Sequence, residues 1–186
     1  MNTHFCATRT SPERTRTMPR LLPLLLVLLL AATGSLAQGY GYGTGKSGLS
    51  DRTTNRVVRL LEKGLRQCRA LDSVYRYDCY RQNYQAAGKQ LAGNTAYAPA
   101  QRALRDVENT LADVLKANSD PATKPLRRRG KRFAAISEAA IPRSKAAFTD
   151  ALDEATTQLL RSTGSSGDHF ARIAGALDSD KVFLRS

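Results

Sequence analysis

The sequence predicts an all-α fold: an antiparallel helical bundle of about four main helices plus a short C-terminal helix, its first hairpin stapled by one disulfide. Three observations carry that expectation. Apolar residues recur at steps of three and four through long stretches after residue 50. Breaks rich in Gly, Asn and Asp-Pro separate those stretches. Two cysteines, Cys68 and Cys79, stand eleven positions apart where the chain must fold back on itself.

Residues 1–37 are set apart as an export signal peptide. Met18-Pro19-Arg20 opens a short basic region, Leu21 to Ala32 is leucine-rich, and Ser35-Leu36-Ala37 is a small-residue cleavage signal. The apolar run is about a dozen residues, short of the ~20 that span a bilayer. Met18 is a second candidate start. Cleavage between Ala37 and Gln38 would deliver a periplasmic or secreted protein with no transmembrane span. It also removes Cys6, so three cysteines become two, an even pair in an exported chain. The mature chain keeps 25 Lys and Arg against 15 Asp and Glu, a net charge of +10.

Residues 38–49 form a flexible Gly/Tyr-rich tail. Gly45-Lys46-Ser47 resembles the end of a phosphate-binding loop, but that pattern needs glycine where Tyr40 stands. Residues 50–186 are expected to be one helical domain. In its first helix Val57, Leu61, Leu65 and Cys68 share one side. Arg52, Arg56, Arg59, Lys63 and Arg66 recur on the opposite side as a narrow basic stripe. A solvated face and an anion-binding face are the two readings of that stripe.

On a straight helix the two cysteines would lie ~16 Å apart at 1.5 Å per residue. A disulfide needs Cα atoms within ~7 Å. The bond therefore requires a turn, centred near Asp72-Ser73, where both residues suit a turn or cap. In the second helix Tyr77, Tyr80, Tyr84, Ala87 and Leu91 line one face, with Cys79 on another. The tyrosine row is either a half-wet seam against a neighbouring helix or an aromatic surface for a partner.

Pro99 suits the first turn of helix 3, whose stripe is Ala100, Leu104, Val107, Leu111 and Val114. Residues 118–133 read as a basic linker carrying Arg127, Arg128, Arg129, Lys131 and Arg132, the densest positive run in the chain. Phe133 to Ala140 is a candidate short helix that Pro142 ends. Helix 4, from Arg143 to Arg161, turns Phe148, Leu152, Ala155 and Leu159 inward and Asp150, Asp153 and Glu154 outward. The last, short helix is capped by Asp168 and uses Phe170, Ile173, Ala174 and Leu177.

Catalytic chemistry has little to draw on. The mature chain holds one histidine, His169, and both remaining cysteines are committed to the disulfide. No catalytic residue, metal ligand or cofactor site is expected. The functional expectation is an exported, non-enzymatic envelope protein. It would bind an anionic partner (a lipid headgroup, a cell-wall polymer or an acidic protein) through the basic helix face and linker. Peripheral membrane contact fits this reading and specific nucleic-acid binding does not. The alternative is a helical adaptor or chaperone-like module working through Tyr77, Tyr80 and Tyr84.

Overall fold

The computed structural model describes residues 48–162 and 167–185. The export signal, its cleavage point and most of the Gly/Tyr-rich tail lie outside the described residues. The described residues form five α-helices: α1 (Asp51–Arg69), α2 (Ser73–Gln90), α3 (Ala98–Asn118), α4 (Ile141–Arg161) and α5 (Gly167–Arg185). The fold is the all-α bundle that the periodicity predicts.

Local chemistry fixes the helix starts. The Ser50 hydroxyl accepts from the Thr53 amide at 3.3 Å and caps α1. Asn94 caps a short 3₁₀ turn, Thr95–Tyr97, that leads straight into α3 with Pro99 in its first turn. Each helix packs on the next in sequence, and α5 returns to pack on α1. The five helices thus close a ring. Successive helices run antiparallel, so α1 and α5, the first and last of an odd number, run parallel.

The predicted apolar stripes meet inside that ring. Val57, Leu61, Leu104, Val107, Leu111, Phe148, Leu152, Leu159, Phe170, Ile173 and Leu177 are all fully buried. The tyrosine row belongs to this core. Tyr77, Tyr80 and Tyr84 are buried; Tyr80 stacks on Phe148 at 5.0 Å between ring centres, and Tyr84 meets the same ring edge-on at 5.8 Å. The row is a seam against α4. Gly64 gives α1 its close approach to α2: a Cβ there would sit 2.0 Å from the Asn83 side chain. Asn83 in turn donates to the Leu61 carbonyl at 3.2 Å.

Cys68 and Cys79 are joined, with Cα atoms 5.4 Å apart. The bridge crosses the tip of the α1–α2 hairpin, and Asp72 is the N-cap residue of α2, as the spacing requires.

Three expectations are corrected. The basic linker is not irregular throughout: β1 (Leu126–Arg128) and β2 (Lys131–Phe133) form a two-stranded antiparallel hairpin. Phe133 to Ala140 is not a helix. Its backbone is bound to other elements: the Ile136 amide donates to Val74, the Ser137 amide to Asn118, and Ile136 bridges to Ser119. Only Glu138–Ala140 makes a 3₁₀ turn, and Pro142 opens α4 instead of ending a helix. Finally, α5 is as long as α1, 19 residues each, so the bundle has five full helices.

Candidate functional site

The β-hairpin lies against the stapled tip of α1 and α2, and a cleft of about 430 Å³ opens between them. A buried carboxylate holds the hairpin in place. Asp78, on α2, accepts from Arg81 through Nε and Nη2 at 2.9 and 2.8 Å, and from the Ala134 amide at 2.8 Å. Gln82 reaches the same carboxylate at 3.3 Å and the Arg132 carbonyl at 2.8 Å. A buried charge is tolerable only when paired and hydrogen-bonded, and Asp78 has both, one bond coming from the chain just after β2. On the other strand, Arg128 donates to the Ala70 carbonyl at 3.1 Å, at the C-terminal end of α1 where cations are favoured.

Strand geometry then sorts the linker cations. Leu126 pairs with Phe133, Arg127 with Arg132 and Arg128 with Lys131. Successive pairs face opposite sides of a hairpin. Phe133 is buried, so Arg128 and Lys131 share its side, while Arg127 and Arg132 point away. The turn between the strands is Arg129-Gly130, both at positive φ, 51° and 74°. A two-residue hairpin of type I′ needs this at both central positions.

The cleft accordingly collects Arg128, Arg129 and Lys131 from the hairpin and Lys63 and Arg66 from the last turns of α1. Its apolar part is Ala70, Leu71, Phe133 and the disulfide at Cys79, with Gln67 beside them. Among the described residues no carboxylate lines it. Five cations around an apolar floor, without a local counter-charge, can attract and hold an anion. The structure therefore brings together half of the predicted basic residues. Arg52, Arg56 and Arg59 are exposed on the earlier turns of α1, outside the cleft, as are Arg127 and Arg132.

A smaller depression of about 310 Å³ uses a different face of α2. Arg69, Arg76, Lys145, Tyr77 and Tyr80 are among its lining residues. Burial pushes the Tyr80 phenol up to about 12, and that of Tyr77 is also raised, against the pull of Arg76 on each. Both rings thus stay neutral near pH 7, and Tyr77 donates to the Ile141 carbonyl.

Two buried polar groupings were not legible beforehand. Thr54 Oγ1 sits 2.8 Å from His169 Nδ1 and 2.7 Å from the Tyr97 hydroxyl, which donates to the Ser50 carbonyl at 2.8 Å. Thr54 is wholly buried, and this Thr–His contact ties α5 to α1. Asp180, on α5, is also buried; its Oδ2 accepts from Tyr84 at 2.6 Å and its Oδ1 has no partner among the described residues. The sign common to Asp78, Asn83 and Asp180 is a short polar residue at an inward helical position. The surface acids behave differently: Asp150 and Glu154 are exposed, and Asp153 pairs with Lys181. Among the described residues no group of three or more His, Cys, Asp or Glu is placed to hold a metal ion, and no helix is long and apolar enough to cross a membrane. The chain matches no protein-family model, and comparison with curated proteins and solved structures returns no match.

Proposed function

We propose that this is an exported, non-enzymatic protein that binds an anionic component of the cell envelope in the cleft between the α1 tip and the β-hairpin. One observation carries the reading. Two basic segments far apart in sequence converge on a single recess that, among the described residues, no carboxylate lines. Random placement of surface charge tends to interleave signs, and like charges brought close without a counter-ion cost stability. Export is supported by the Cys68–Cys79 disulfide, since such bonds persist in oxidising compartments. Headgroups, cell-wall polymers and acidic proteins share the phosphate or carboxylate that these cations would meet.

The test compares two charge reversals of equal size. Lys63→Glu with Lys131→Glu alters the cleft; Arg127→Glu with Arg132→Glu alters the far face of the same hairpin. Each nearby cation contributes about 1 kcal/mol at an anionic surface, so the cleft pair should lose at least ~10-fold in retention on phosphatidylglycerol vesicles or isolated cell-wall sacculi. The far pair should lose much less, and wild-type retention should weaken with salt. Equal losses from both pairs would mean a diffuse field and no site. Wild-type protein that ignores both surfaces at low salt sinks the proposal.

A further inference from the structure

Resting on that reading, we infer that the ligand is a monomeric anionic amphiphile, with its charged head among the cations and its hydrocarbon on the floor of the cleft. A site for a purely polar anion has no use for an apolar floor. Here Leu71, Phe133 and Cys79 line the same cleft as Lys63, Arg66 and Lys131. All three floor residues are nearly covered by their own neighbours: Leu71 is 6% exposed, Phe133 5% and Cys79 8%. What they expose is far too small for a protein interface, which buries ~800 Å² on each partner.

The shape argues the same way. The cleft is recessed, and its volume of about 430 Å³ falls in the range of small-molecule sites, ~300–1,000 Å³. A bilayer offers a flat array of headgroups and keeps its chains below them, so it meets a convex basic patch better than a recess. Charge sets the orientation. Arg128 is anchored on the Ala70 carbonyl, and Arg129 at the turn also lines the cleft. The head is therefore held between the hairpin and α1, and the hydrocarbon lies against the apolar lining. Gln67 is an exposed helix residue at the edge of the floor, so it can be altered without disturbing the core.

Titration calorimetry of the full chain with inorganic phosphate, butyl, hexyl and octyl phosphate, each below its aggregation limit, tests this. Affinity should rise about fourfold per added methylene and level off once the floor is covered. Octanol, which lacks the charge, should not bind measurably. Gln67→Leu should bind octyl phosphate several-fold more tightly and leave inorganic phosphate unchanged. Octyl phosphate should also displace the protein from anionic vesicles. Affinity independent of chain length overturns the amphiphile and leaves an anion site standing. Failure of octyl phosphate to compete with vesicles that do bind the protein assigns the site to a bilayer surface and overturns the inference. Absence of any salt-sensitive binding, to phosphates or vesicles, removes the anion reading as well.

Discussion

Asp180 is a carboxyl buried in the bundle core, where its charged form is disfavoured. Burial pushes its carboxyl up to about 7; the Tyr84 hydrogen bond opposes the rise, and Glu62 adds to it. Unfolded, the same group titrates near ~3.9. Between those values the folded protein holds a proton that the unfolded chain releases, so stability falls as pH rises from about 4 to 7 and the loss is complete above that. The shift corresponds to at most about 4 kcal/mol. Thermal melts followed by circular dichroism should therefore show a lower Tm at pH 8 than at pH 5. Asp180→Asn, which keeps an acceptor for Tyr84, should flatten that slope and raise the Tm at pH 8. A wild-type Tm that rises over the same interval would contradict the assignment. Burial and Asp180 raise the Tyr84 phenol well above its ordinary value, so it stays neutral over this interval and the slope belongs to the carboxyl.

Among the elements, the β-hairpin carries the most consequence for its size. Its strands are three residues each, too short to stand alone, and the bonds from Asp78, Gln82 and the Ala70 carbonyl fix it to the bundle. The tip is under backbone strain. Arg129 occupies a left-handed conformation that costs a non-glycine residue about 1–2 kcal/mol and that asparagine adopts more readily. Arg129→Asn should raise stability to denaturant by about 1 kcal/mol while weakening retention on anionic vesicles. If it weakens nothing, Arg129 is a strained turn residue without a part in binding. Such opposed effects are expected where strain is kept for the sake of a site.

At the scale of the whole molecule, one covalent bond serves both the fold and the cleft. The five-helix ring is closed by α5 packing on α1, and the disulfide adds a second fastening at the opposite end of α1. Replacing both cysteines by serine should cost about 3 kcal/mol by the chain-entropy account, a large share of the ~5–15 kcal/mol typical of a domain. Urea unfolding with and without reductant measures it. Because Cys79 is part of the cleft floor, the same change should also lower affinity for octyl phosphate. Two alkylatable thiols in unreduced, natively exported material would show that the bond does not form in the cell.

Some of this was legible in the residues themselves. Apolar stripes such as Ala100-Leu104-Val107-Leu111 need only helical geometry to declare their inward side, and the eleven-residue cysteine spacing demands a turn whatever surrounds it. Periodicity is a property of a single segment, so sequence alone determined the inward faces of the main helices, the staple and the basic stripe on α1. It could not determine which segments become neighbours. Phe133 to Ala140 gave up helix for bonds to Val74 and Asn118, partners that lie far back in the chain. Arg127 and Arg128 are adjacent in sequence and separated by the face of a strand. Only the tertiary structure brought Lys63 and Arg66 to Arg128 and Lys131 over an apolar floor, because proximity between distant segments is set by how the faces pack, not by the order of the residues.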